Sequence, residues 1–332
     1  MSDCIITRRD GFVTIEFDNY KIYSDTLNRS TPTALSTARR WLAGASVGDY
    51  ALFAGGDTGS YSSVVDAYDT ELTRTTPTAL STARDQLAGA SVGDYALFAG
   101  GSGPSSVVDA YDTDLTRTTP TALSTARRGL AGASVGDYAL FAGGYTGSHS
   151  SVVDAYDTDL TRTTPTALSV RRFYPARAAI GSSALFAGGE IDYPNSTSAV
   201  DAYDTELTRT TPTALSTARL GLAGASVGGH ALFAGGCTSA YTGSYSSVVD
   251  AYDTELTRTT PTALSTARGQ LAGASVGDYA LFAGGDTGSY SSVVDAYDTE
   301  LTRTTPTALS TARLGLAGAS VGDYALFAGG YT

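Results

Sequence analysis

Leu87-Ala88-Gly89-Ala90-Ser91-Val92-Gly93-Asp94-Tyr95-Ala96-Leu97-Phe98-Ala99-Gly100-Gly101 is one copy of a phrase that this chain repeats seven times, at intervals of 43 to 49 residues. Two short apolar runs, 87–92 and 95–99, are joined by Gly93-Asp94 and closed by a glycine pair, which is the pattern of a β-hairpin. After a loop, Val107-Val108-Asp109-Ala110-Tyr111 supplies β-branched and aromatic residues for a third strand, and Asp112-Thr113-Asp114 supplies turn chemistry. Leu115-Thr116-Arg117-Thr118-Thr119 reads as a polar fourth strand stopped by Pro120. Each repeat is therefore expected to be a four-stranded meander, with strands a to d. No stretch carries a 3.6-residue apolar period, which disfavours helical arrays.

The composition of the four strands grades from Gly, Ala and Ser in a, through Leu and Phe in b and Val and Tyr in c, to Thr and Arg in d. A wedge that is thin at an axis and thick outside needs this gradient, so the expected fold is an all-β propeller of seven four-stranded blades. Residues 22–29 align with residues 67–74 when Pro32 and Pro77 are superposed, and the array ends after strands a and b of its last copy. We therefore expect both termini to build the closing blade: 1–21 a lead-in, 22–31 its outer strands and 306–332 its inner strands, around six repeats at 32–76, 77–119, 120–164, 165–211, 212–260 and 261–305. Residues 12–17 have no counterpart in the array and read as an extra strand or a lead-in.

Of 332 residues, 42% are hydrophobic, ample for one large closed domain. The formal charge of −12 argues against a phosphate-tracking surface and hence against nucleic acid. No signal-peptide pattern or membrane-spanning apolar run is present, so a cytoplasmic monomer away from membranes is expected. The two cysteines, Cys4 and Cys237, suffice for neither a disulfide framework nor a zinc cluster. No cofactor or metal is expected.

The Arg that opens strand a, the apolar strand ending in Gly-Gly, the following Val-Asp-Ala-Tyr-Asp and the repeat length together resemble the kelch family of β-propellers over residues 22 to 330. That family usually carries a Trp about seven residues after the Tyr. Here the position is Thr, as at Thr75 and Thr118, so packing at the rim must differ. The resemblance implies a binding scaffold in most members and an enzyme in a few. A copper-radical oxidase would need a His/Tyr metal cluster and a cross-linked Cys. The two histidines, His149 in a b-to-c loop and His230 in an a-to-b turn, fall on opposite faces.

Against a nearly constant background, two columns vary. The pair after the strand-a Arg reads Arg40-Trp41, Asp85-Gln86, Arg128-Gly129, Phe173-Tyr174, Leu220-Gly221, Gly269-Gln270 and Leu314-Gly315, a set expected to share nothing structural. The residue after Gly-Gly is Asp57, Ser102, Tyr145, Glu190, Cys237, Asp286 or Tyr331 and opens a loop of variable length, longest at Tyr241. In a meander the d-to-a and b-to-c connections emerge together, so both columns lie on one face. The turn carboxylates, such as Asp49, Asp94, Asp137, Asp278 and Asp323, lie on the other. Candidate ligand-binding residues are the strand-a arginines Arg39, Arg84, Arg127, Arg172, Arg219, Arg268 and Arg313, together with Arg40, Trp41, Gln86, Arg128, Phe173, Tyr174, Gln270, Tyr145, His149, Glu190 and Tyr241. Neutral drift would produce varied loops too.

The strand-a arginines admit two readings: latches paired with strand-c aspartates such as Asp66 and Asp109, or an anion-binding ring. The copy at 165–211 departs most, and in it Arg177 replaces the strand-a Gly and projects toward the axis; simple divergence is the plainer account. Seven like blades offer seven copies of like groups rather than converging unlike ones, so no catalytic residues are assigned. The leading expectation is a non-enzymatic scaffold that binds a protein, peptide or acidic ligand on the arginine-bearing, variable face. A glycan-binding or glycan-processing propeller, or a recently amplified or artificial array with no evolved ligand, are the alternatives.

Overall fold

The computed structural model describes residues 5–9, 12–17, 20–23, 27–239 and 244–332, with side chains from residue 27 onward. The chain divides into two compact units, Met1–Ser30 and Thr31–Thr332. In the first, strands Ile5–Arg9, Phe12–Phe17 and Tyr20–Tyr23 form a three-stranded antiparallel sheet in chain order. Among the described residues, no helix is long and apolar enough to cross a membrane.

The second unit is a β-propeller. Its inner strands a are Ala43–Val47, Ala88–Val92, Ala131–Val135, Ala176–Ile180, Ala223–Val227, Ala272–Val276 and Ala317–Val321, and each packs against the next, the last against the first. The first six belong to four-stranded antiparallel sheets, which we number blades 1 to 6; the seventh pairs only with Tyr324–Ala328. The propeller thus has six four-stranded blades, not seven, and its seventh sector is a two-stranded hairpin.

The expectation fails where it assigned residues 22–31 to the closing blade. Ile22 and Tyr23 are paired with Ile15 and Thr14 in the amino-terminal sheet rather than with residues 324–328. The alignment itself carries the reason: Lys21 stands where the strand-c aspartate Asp66 stands in blade 1. A strand without that carboxylate cannot make the contact that holds strand c in every other blade.

That contact is a buried ion pair. Arg39, Arg84, Arg127, Arg172, Arg219 and Arg268 meet Asp66, Asp109, Asp154, Asp201, Asp250 and Asp295, with both side chains fully shielded from solvent. Burial lowers the pKa of Arg39, Arg84, Arg127, Arg172 and Arg219, and the aspartate opposes it; a guanidinium stays charged throughout. Each Arg also joins two blades. Arg84 N–H donates to Ser62 O and its carbonyl accepts from Gly56 N–H in blade 1, while its guanidinium bonds Asp109 and Phe98 O in blade 2.

The hydrophobic core lies between blades. Ala43, Leu52, Val65 and Ala67 of blade 1 pack with Ala96, Phe98 and Tyr111 of blade 2, and the pattern recurs around the ring. The alternation within Tyr-Ala-Leu-Phe-Ala produces this, because successive strand residues point to opposite faces. Each Phe of blades 1 to 6 meets its strand-c Tyr edge to face at 6.0 to 6.1 Å. Phe327 lacks a strand-c Tyr and is only partly buried.

At the axis the spacing is set by glycine. A Cβ added to Gly44, Gly89, Gly273 or Gly318 would collide with the carbonyl oxygen of the preceding inner strand. Two residues on, serine ties the strands together: Ser46 Oγ donates to Ser320 O at 2.6 Å, Ser91 Oγ to Ser46 O at 2.6 Å and Ser134 Oγ to Ser91 O at 2.6 Å. On the face opposite the variable loops, Asp69, Asp112, Asp157, Asp204, Asp253 and Asp298 each accept the N–H four residues on. Those carboxylates are occupied by their own turns.

Arg127→Met should cost about 3–5 kcal/mol in chemical denaturation, because it strands the buried Asp154 charge. Arg127→Met with Asp154→Leu should recover most of that loss. Arg313→Ala should cost no more than about 1 kcal/mol, since Arg313 is partly exposed and has no aspartate partner among the described residues.

Candidate binding face

The residue two places after each strand-a Arg adopts the same backbone in all seven copies. Trp41, Gln86, Gly129, Tyr174, Gly221, Gln270 and Gly315 have φ between 51° and 66°. They ring the axis and bond to one another: Gln86 N–H donates to Trp41 O at 3.0 Å, Gly129 to Gln86 O at 2.9 Å, Tyr174 to Gly129 O at 2.9 Å, Gln270 to Gly221 O at 2.8 Å, Gly315 to Gln270 O at 3.3 Å and Trp41 to Gly315 O at 3.1 Å. The variable column therefore shares a left-handed backbone that its side chains conceal. Glycine in three copies was the signal for it.

Two aromatic and arginine clusters stand on this ring. In the first, Tyr145, His149 and Phe173 lie within 5.7 to 6.2 Å of one another, ring centre to ring centre, and Phe173 meets Tyr174 at 3.9 Å. The Arg128 guanidinium is 5.3 Å from the Tyr145 ring and 5.7 Å from Phe173, within cation–π range, and comes to 3.5 Å from Gln86 Oε1. His149 Nε2 is 3.1 Å from Glu190 Oε1. In the second, Arg40 lies 4.6 Å from the Trp41 ring and 3.9 Å from Tyr331, and pairs with Asp57 at 2.6 Å. Trp41 and Tyr290 both flank Tyr331.

Tyr174 is 39% exposed, yet enough protein surrounds it that burial raises its hydroxyl pKa. Arg128 opposes that rise, and Asp85 and Glu190 add to it. Asp85 is 2% exposed, and its Oδ1 has no hydrogen-bond partner. The site assignment from sequence omitted Asp85, although it stands in the varying column where other copies carry Arg, Phe, Leu or Gly.

The sequence candidates thus sort into three groups. Arg128, Tyr145, His149, Phe173, Tyr174, Glu190 and Gln86 come together, and so do Arg40 and Trp41; Gln270 is exposed apart from both clusters. Tyr241 lies outside the described residues. Arg39, Arg84, Arg127, Arg172, Arg219 and Arg268 sit beneath the face, each 2% exposed or less and engaged with its aspartate. Arg313 bonds carbonyls of Thr311 and Gly329. Among the described residues no group of three His, Cys, Asp or Glu side chains could hold a metal ion.

No protein-family model matches the chain, and no curated protein matches it. Kelch membership therefore stays a resemblance. Among solved structures, one described as "Structure of YjhT" is similar, with a TM-score of 0.67, 15% sequence identity and coverage of 84% of this chain and 100% of that one. At that identity the likeness concerns the fold alone.

A left-handed backbone costs a non-glycine residue about 1–2 kcal/mol, and glycine's freedom in the unfolded chain costs roughly 0.5–1. Gln270→Gly should therefore leave stability unchanged or raise it by up to about 1 kcal/mol in thermal or urea denaturation. Gly129→Gln should destabilise, because its Cβ would run into the Phe173 ring.

Proposed function

We propose that this chain is a non-enzymatic interaction scaffold that captures a protein or peptide on the variable face, through the Arg128–Tyr145–Phe173–Tyr174 cluster and the Arg40–Trp41–Tyr331 cluster. One observation carries the reading. Trp41, Gln86, Tyr174 and Gln270 hold left-handed backbone at positions where glycine serves in three sister copies. Although Leu72, Leu115, Leu160, Leu207, Leu256 and Leu301 adopt it in the c-to-d turns as well, non-glycine residues held in such backbone cluster at functional sites. The side chains kept there include Trp and Tyr, beside Arg, the residue types that dominate binding energy at protein interfaces.

The strand-a arginines do not enter this reading, because their donors are used inside the blades. The aromatic cluster beside Glu190 also suits a sugar, whose hydroxyls would donate to the carboxylate. Protein capture is favoured because the two clusters lie in different sectors of the ring, one spanning blades 3 and 4 and the other blade 1 and the seventh sector.

Trp41→Gly combined with Phe173→Ala and Tyr174→Gly should keep the circular-dichroism spectrum and thermal midpoint of the parent while losing capture of the native partner in a pull-down by at least tenfold. Undiminished capture would remove the variable face from the account. Binding on a glycan array, lost in the same variant, would move the assignment to carbohydrate.

A further inference from the structure

The inner strands of the propeller line an open central cavity of about 300 Å³, walled by the Gly-Ala-Ser segments of six of them and by Arg177, Ala178 and Ala179 of blade 4. That volume equals on the order of ten water molecules. Arg177 is the one charged residue in the lining. It is the second residue of its strand, counted from the variable face. Six of the seven inner strands carry glycine there, packed so closely that a Cβ would strike the neighbouring backbone.

Two observations set this point apart. First, Arg177 makes no hydrogen bond or ion pair with any described residue, whereas the six latch arginines each hold an aspartate. Protein crowds the guanidinium so that desolvation alone lowers its pKa, although the side chain keeps surface open to the cavity. Second, blade 4 carries Ala179 where the other six inner strands carry the zipper serine. Ser46, Ser91, Ser226 and Ser320 each donate a backbone N–H to the next blade's serine Oγ. The Ser134 N–H instead faces Ala179, which has no hydroxyl to accept it.

We propose that the central cavity is a binding site for one small oxyanion, a phosphate or a carboxylate, held by the Arg177 guanidinium with the Ser134 N–H as a second donor. A guanidinium with no partner of its own has donors free for an anion, and its planar fork matches an oxyanion in bidentate fashion. The hydroxyls of Ser46, Ser91, Ser134, Ser226 and Ser320 are engaged in the zipper, and the remaining walls are Gly, Ala and Ser275. The site is independent of what docks on the variable face, and stands or falls without it.

Calorimetric titration of the full chain with inorganic phosphate, and separately with acetate, at constant ionic strength set by sodium chloride tests the site. One oxyanion per chain should bind, and the occupied form should melt at a higher temperature. Arg177→Gly restores the residue of the sister strands, and Arg177→Met keeps side-chain bulk; each should weaken binding at least tenfold while retaining the parent β-sheet spectrum. The preferred probe identifies the phosphate or carboxylate source. Absence of binding by both probes, or binding that persists in either folded variant, overturns the proposal.

Discussion

A carboxylate buried in strand c organises each complete blade. Asp109 takes the Arg84 guanidinium of the segment entering strand a, the Arg117 guanidinium of strand d and the N–H of Ser81 in the linker, so one side chain joins three separate parts of the chain. Asp154, Asp201, Asp250 and Asp295 repeat the arrangement. A charge removed from water costs several kcal/mol unless its partners are all in place, so the pair tolerates no partial version. Constancy of Arg, Asp and Ser across the copies follows from that cooperativity. Among the described residues, the seventh sector has Arg313, strand a and strand b without a strand-c carboxylate, and its sheet is two-stranded.

The meander was legible because the apolar alternation and the Gly-Asp turn specify strands and hairpin locally, and strand b begins and ends where residues 95–99 predict. The closure was not. Aligning residues 22–29 with 67–74 matched Tyr, Leu and Arg, but the matched segment begins one residue after the decisive aspartate, and Lys21 fell outside it. Short outer strands show the same limit in milder form: five residues of strand d were expected and two are paired, Arg117–Thr118. Pairing at a blade's rim depends on what strand c offers rather than on strand d's own composition.

The variable face was legible as a location and not as a geometry. Variation marked the two columns, and topology placed them together. Which side chains meet depends on reach across blades: Phe173 of blade 4 lies over Tyr145 of blade 3, and Arg40 of blade 1 over Tyr331 of the seventh sector. No spacing within one repeat encodes such contacts. The strand-a arginines show the converse case, since a latch and a ligand ring have the same residues at the same interval and differ only in whether a carboxylate is within reach.

Near-identical copies tend to make a featureless axis: seven glycines, no charge, and a hydroxyl zipper running through every seam. Blade 4 breaks that symmetry on both sides. Toward blade 3 the zipper stops at Ala179, and toward blade 5 the mouth ring has no Gly221 to Tyr174 link to match its six others. The same blade supplies Phe173, Tyr174 and Glu190 above and Arg177 below. A symmetric ring presents the same group from every side, which suits a symmetric ligand or none. An asymmetric ligand needs one sector unlike the rest, and the cost of that difference falls on contacts between blades, where two links lapse while the buried Arg172–Asp201 pair of blade 4 stays intact. The divergence of this copy reaches the axis, the variable face and the a-to-b turn, where Ser182 and Ser183 stand in place of Asp and Tyr, while the ion pair that holds the blade together is preserved.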